Sequence, residues 1–313
     1  MNKNKILITG GAGYIGSMLS TKLVELGFKV TVLDNLSFSP NSLNHLHIFK
    51  NFKLVIGDVK NKKIYRDLIK KNDIIIPLAA LVGAPLCQKN KKKAVEINLN
   101  SIQFLLKNVT SKKKILYPTT NSGYGVGKKN KFCTENSPLN PISLYGITKV
   151  KAEEEILKFK NSVCFRLATV FGYSYRMRSD LLVNNFVETA LKKKKLVIFE
   201  PNFRRNYIHI RDVVDAFIFA INNFEKMKSN TYNVGLSSAN LTKIQLAKKI
   251  KKDLKFLKIQ ILNNRKDPDQ RDYFVSNKKI EKVGFMPRIK LEDGIKELII
   301  FFSLNKNKII NNY

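Results

Sequence analysis

Two tyrosines in this sequence are followed by a lysine four positions later, Tyr124 by Lys128 and Tyr145 by Lys149. A phenol ionises near pKa 10 and is a poor base at neutral pH; each unit of lowering needs about 1.4 kcal/mol of differential stabilisation. A nearby ammonium stabilises the phenolate, and a phenolate can take the proton of an alcohol. In a lysine-rich chain this spacing arises by chance once or twice, so context must separate the two pairs. Tyr124 lies in SGYGVGKK, a glycine-rich stretch that fixes no relative geometry. Tyr145 opens the helical pattern YGITKVKAEEEILKFK, which puts both side chains on one face. Thr119 and Thr120 follow the apolar run KILY, at the carboxyl edge where α/β proteins bind ligands.

A second group of residues suits a dinucleotide. Gly10, Gly13 and Gly16 stand between the apolar run ILIT and a helical pattern, and Gly11, Gly13 and Gly16 also satisfy G-x-G-x-x-G. Glycine tightens such a turn, lets backbone N–H groups approach a pyrophosphate and lets helix pack on strand. Asp34 ends the next apolar run, about 20 residues beyond the glycines. A carboxylate there accepts ribose hydroxyls and repels a 2′-phosphate, and Asn35 and Leu36 bring no compensating cation, so NAD is expected over NADP. Asp58 in IGDV is placed either to bond adenine or to cap a helix.

These residues need a scaffold, and the chain supplies one. ILIT, VTVL, KLVI, DIII, KILY and VCFR alternate with amphipathic stretches such as AVEINLNSIQFLLKNV. That is βαβ repetition, and it predicts an α/β fold with a doubly wound parallel sheet. After about Gly172 the rhythm changes to short strands (LVIFE, NYIHI, TYNVG, FLKIQIL) among helices, the last from Leu291. The division expected is a nucleotide-binding domain over 1–173, which also receives parts of 207–235, and a smaller substrate lobe over 174–313.

Composition sets the outer limits. The net charge is +33, but the excess is lysine spread through every segment, and no stacking aromatics accompany runs such as LKKKKL. Nucleic acid is therefore not an expected partner. Ten of the 57 basic residues are arginine, so each arginine fork merits a role. Three scattered cysteines suit a reducing compartment and give no metal-ligand spacing, so no metal is expected. The longest apolar run, IIIPLAALVGAPL, is too short to span a bilayer, and a cytoplasmic location is expected.

GGAGYIG, Asp34, PLAAL, TTNSGYG, YGITK and RNYIHIRDV together resemble, in order and over nearly the whole chain, the extended short-chain dehydrogenase/reductases. These are the NAD-dependent sugar-nucleotide epimerases and dehydratases. The resemblance implies that Tyr145 is the base, Lys149 its partner and Thr120 the hydroxyl that completes a triad. It also implies an NAD site formed by Gly10, Gly13, Tyr14, Ile15 and Gly16, by Asp34, Asn35, Asp58 and Val59, by Leu78, Ala79, Ala80 and Asn98, and by Tyr145 and Lys149. The sugar nucleotide would meet Thr120, Thr169 and Arg178, with Arg205 and Arg271 facing its diphosphate and Arg176 a further candidate there. A homodimer through the helices of AVEINLNSIQFLLKNV and YGITKVKAEEEILKFK is implied as well.

Departures from the family pattern narrow the chemistry. Asn121 and Ser122 stand where 4,6-dehydratases carry Asp-Glu, and neither performs that acid–base work. Val82 and Thr169 replace residues frequent in galactose 4-epimerases. The blocks IIPLAALVGAPLC, RLATVFGYSYRMRSDLLVN and DPDQRDYFVSN resemble the branch that oxidises C4 of GDP-linked heptoses. That branch implies a GDP-sugar rather than a UDP-sugar, with the 4-epimerases as the alternative and a non-catalytic NAD(H)-holding regulatory protein as a further one.

Overall fold

The computed structural model describes residues 4–128, 131–262 and 271–305. In chain order β1 (Lys5–Thr9), α1 (Tyr14–Glu25), β2 (Lys29–Asp34), β3 (Phe52–Ile56), α2 (Lys62–Lys71) and β4 (Ile74–Pro77) begin the chain. Next come α3 (Ala84–Lys89), α4 (Lys91–Val95) and α5 (Ser101–Asn108), the last two joined by a π turn over Glu96–Asn100. β5 (Lys114–Thr120), β6 (Phe132–Cys133), α6 (Leu144–Leu157), β7 (Ser162–Leu167) and β8 (Thr169–Phe171) follow. The remainder is α7 (Leu182–Lys193), β9 (Lys195–Ile198), β10 (Arg204–His209), α8 (Ile210–Asn222), α9 (Phe224–Met227) and β11 (Asn230–Val234). After these come β12 (Asn240–Thr242), α10 (Lys243–Asp253), β13 (Lys258–Ile261), β14 (Phe274–Val275), α11 (Lys278–Val283) and α12 (Leu291–Leu304).

Seven strands form one parallel sheet in the order β3-β2-β1-β4-β5-β7-β11. The order reverses at β1, between β2 and β4, and the mouth of such a switch point is where open α/β sheets hold ligands. The central strands are buried on both faces, which is why ILIT, IIIP and VCFR read as continuous apolar runs. β11 comes from the second half of the chain yet forms the sheet's edge, beside β7. The smaller pieces are a three-stranded unit β12-β10-β8 and the parallel pairs β13-β9 and β14-β6.

Local signals account for several boundaries. α10 starts with a reciprocal capping box, Thr242 accepting from the Gln245 N–H while the Gln245 side chain accepts from the Thr242 N–H. Asn61 caps α2, so Asp58 is not that helix's cap. Instead one Asp58 oxygen accepts from the Lys60 N–H at 2.9 Å and the other from the Asn35 amide at 3.2 Å.

One expectation needs correction. Thr119 and Thr120 do not follow the strand of KILY but end it, since β5 continues to Thr120 through pairing with Arg166 and Leu167. The stretch DPDQ of the quoted C-terminal block lies outside the described residues. No helix among the described residues is long and apolar enough to cross a membrane.

Candidate active site

The turn after β1 shows why glycine is required there. Gly10 has φ +71°, and a Cβ on it would lie 2.5 Å from the Ala79 nitrogen. A Cβ on Gly16 would lie 2.3 Å from the Gly10 carbonyl oxygen, so helix and turn touch backbone to backbone. Gly11, the alternative first glycine, packs against Val32 instead. The start of α1 opens on a cavity whose wall includes Gly10, Gly13, Tyr14, Ile15 and Gly16. The first-turn N–H groups of a helix have no intrahelical partner and carry the positive end of its dipole, which suits a pyrophosphate.

Tyr14 also ties this wall to a distant segment. Its hydroxyl donates to the Gly172 carbonyl at 2.7 Å, tying α1 to the segment after β8. The same cavity takes in Asp34, Asn35, Asp58 and Val59 at one end and Leu78, Ala79 and Ala80 along its side. Asn98 is not in the wall. Its amide clamps the loop after β4, accepting from the Leu81 N–H at 2.8 Å and donating to the Leu81 carbonyl at 3.0 Å.

Tyr145 and Lys149 line the cavity with Pro118, Thr119, Leu167 and Arg178. The fold therefore joins one Tyr–Lys pair to the glycine turn and Asp34. The other pair goes elsewhere: the Tyr124 hydroxyl donates to Asn233 Oδ1 at 2.7 Å and accepts from Arg166 at 3.1 Å. Arg166 in turn holds the carboxylate of Glu153, on α6, at 2.7 Å in a buried ion pair. Tyr124 is thus a bolt between β7, β11 and α6.

Burial dominates the electrostatics. It pushes the Tyr145 phenol up to about 12, against the opposing pull of the Arg178 charge and, more weakly, that of Arg271. Burial also brings Lys149 down to about 7, with Cys164 and Glu153 working against it. Thr119 is buried, and its hydroxyl has no partner among the described residues. An orphaned donor in this wall fits a bound polar group such as a nicotinamide, just as the glycine turn fits a pyrophosphate.

The other sites expected for substrate lie outside the wall. Thr120 caps the short turn Asn121–Tyr124, accepting from the Ser122 N–H at 3.1 Å, and its hydroxyl is 2.9 Å from that of Ser122. Arg271 donates to the same Ser122 hydroxyl. Asn121 is buried with neither amide atom bonded among the described residues. Arg205 is buried on β10, 5.7 Å from the Tyr273 ring centre, and Thr169 begins β8.

Two features were hidden in the sequence. Arg176 and Arg178 are both buried rather than solvated, and both line the cavity. Arg178 pairs with Asp180 at 2.5 Å, and Arg176 lies over the Phe38 ring. The scarcity of arginine was the available signal, but it could not say which end of the cavity each residue reaches.

Known proteins with the same fold carry chemistry of this kind. A putative UDP-glucose 4-epimerase of Methanocaldococcus jannaschii is 27% identical over 96% of this chain and 99% of its own. CDP-paratose 2-epimerase of Salmonella typhi is 28% identical over 94% and 98%. The solved structure of UDP-glucose 4-epimerase from Thermotoga maritima, with UDP-glucose, superposes with a TM-score of 0.84 at 26% identity, covering 97% of this chain and all of that one. The model of the NAD dependent epimerase/dehydratase family matches residues 6–235. The chain belongs to that family and is an NAD-dependent enzyme.

Proposed function

We propose that the enzyme oxidises C4 of a GDP-linked sugar, a heptose by the resemblance of its sequence blocks, to the 4-keto sugar nucleotide. One observation carries the reaction class. Among the described residues the carboxylic acids of the cavity wall are Asp34 and Asp58, both at the end away from Tyr145. The reactive end offers a phenol, an ammonium and a guanidinium, which suit removal of an alcohol proton and not an elimination that needs a carboxylic acid pair. Asn121 and Ser122 beside Thr120 add no acid.

In this reading the domain of residues 1–173, which also receives parts of 207–235, holds the cofactor, and residues 174–313 mainly hold the sugar nucleotide. Bound NAD supplies the hydride acceptor. Tyr145 takes the O4 proton, and Thr120 holds the sugar oxygen as charge develops. Lys149 and Arg178 favour the phenolate, which must form against the burial that raises it. Arg205 and Arg271 bond the diphosphate, a use suited to planar forks. The bond from C4 to hydrogen breaks, its electron pair leaves with the hydride, and the proton stays on Tyr145.

A second reading has support from the relatives. The Methanocaldococcus and Thermotoga proteins are described as 4-epimerases, and a 4-epimerase uses the same residues but returns the hydride to the other face of the ketone. The deciding experiment is mass analysis of the products formed from a panel of GDP- and UDP-sugars, with NADH followed by absorbance. Stoichiometric NADH with a 4-keto GDP-heptose supports the dehydrogenase. A C4-inverted sugar without accumulated NADH makes the enzyme an epimerase.

A further inference from the structure

The Asp34 end of the cavity holds a charge that the local sequence does not supply. Asp34 is held by the turn itself, one oxygen accepting from the Ala12 N–H at 2.9 Å and the other from the Leu36 N–H at 2.8 Å. Arg176 lines the same cavity as Asp34, Asn35, Ser37 and Phe38. It is only 6% exposed, and its guanidinium carbon is 5.4 Å from the centre of the Phe38 ring.

Arg176 is not a loose surface side chain brought there by chance. The segment that carries it is braced: the Ser174 hydroxyl donates to the Tyr14 carbonyl at 2.7 Å and lies 3.1 Å from that of Ser17. The neighbouring Tyr175 ring stacks on His45 at 4.2 Å between centres. Burial raises the Asp34 carboxyl, and the backbone N–H groups of Leu36, Ala12 and Asn35 draw it down, with a smaller contribution from the Arg176 charge.

We propose that Arg176 is a specificity-determining residue for the cofactor. Its guanidinium offsets the Asp34 carboxylate at the adenosine-ribose end, so that the exclusion of a 2′-phosphate rests on Asp34 alone. The cation that a 2′-phosphate needs is already in place, and a guanidinium is the side chain best suited to bond two of its oxygens. Selection between NAD and NADP is then a difference between two opposed side chains. The inference rests on the NAD site and is independent of which sugar the enzyme uses.

The test is direct titration of NADH and NADPH by fluorescence, with no sugar present. In the wild type NADH binds more tightly. Arg176→Gln is expected to weaken NADPH at least about tenfold while changing NADH less than about threefold, and Arg176→Lys to recover part of the NADPH loss. Asp34→Asn is expected to tighten NADPH about tenfold, and Arg176→Gln in that background to reverse the gain. Equal losses of both cofactors in Arg176→Gln overturn the proposal. So does an Asp34→Asn protein that melts like the wild type and binds NADH but gains nothing for NADPH.

Discussion

The Lys149 ammonium rests 3.9 Å above the centre of the Tyr117 ring, on the strand that ends in Thr120. It shares the cavity wall with Tyr145, one helical turn away on α6. The ring attracts the cation, but burial disfavours the charge by more, so the ammonium yields its proton more readily than in water.

That environment makes stability depend on pH. Lys149 in the fold titrates at about 7, well below the ordinary 10.5, chiefly through burial. Between those values the unfolded chain binds a proton that the folded chain does not, so this group's contribution to stability rises with pH from about 7 to 10.5 and is least favourable below 7. Lys149→Met should therefore melt higher than the wild type at pH 6. Its advantage should shrink by up to about 1.4 kcal/mol per pH unit above 7. Chemical unfolding at several pH values checks this, and a difference that does not vary with pH would remove the buried-charge account. The same variant should bind NADH less tightly and turn over poorly.

The two tyrosines should fail in opposite ways. Tyr145→Phe keeps the ring and its packing but removes the base, so turnover should fall by about 10²–10⁴ with little change in melting temperature. Tyr124→Phe leaves the Arg166 and Asn233 partners of the buried hydroxyl unsatisfied, and should cost about 1–3 kcal/mol of stability. Its turnover loss should be much smaller. Kinetics and thermal melts on both proteins decide the matter; a larger kinetic loss in Tyr124→Phe would move the catalytic site.

Breaking the Arg166–Glu153 pair should cost more than removing it whole. Both side chains are nearly inaccessible, at 7% and 2% exposure. Arg166→Met strands the Glu153 carboxylate under α6 and should cost about 3–5 kcal/mol, whereas the double change to Met at both positions should recover much of that. A double-mutant cycle by denaturant unfolding measures the coupling. Strictly additive losses would show that the two groups do not depend on each other.

Gly16→Ala should disable cofactor binding without touching a catalytic group. The added methyl would meet the Gly10 carbonyl oxygen at 2.3 Å and the Gly11 Cα at 2.6 Å, both backbone atoms that cannot swing aside. NADH titration should show at least a tenfold loss, by about 1.4 kcal/mol or more, and the melting temperature should drop. Unchanged binding would mean that the turn can open without cost.

A homodimer is our expectation for the enzyme in solution. α6 presents Ile147 at 36% exposure, and Ile142 precedes the helix at 52%. Sedimentation at micromolar concentration should give twice the chain mass, and Ile147→Lys should weaken the association. A wild-type monomer under those conditions would exclude it.

Periodicity made the parallel sheet legible, because strands buried on both faces must be apolar throughout and the helices between them must be apolar on one side. Gly10, Gly13, Gly16 and Asp34 were legible because strand, turn and helix around them are consecutive in the chain. So was the pairing of Tyr145 with Lys149, which one helical turn imposes. The sequence by itself thus determined the fold class and the order of these local motifs along it. What only the tertiary structure decided is which distant groups share the cavity. Arg176 lies against Phe38 in the wall that includes Asp34, Arg178 shares that wall with Tyr145, and Tyr124 is withdrawn into the Arg166–Asn233 bonds. The physical reason is that such juxtapositions depend on how the segment after β8 folds back over α1, through bonds such as Tyr14 to Gly172, and no spacing within either segment encodes that contact.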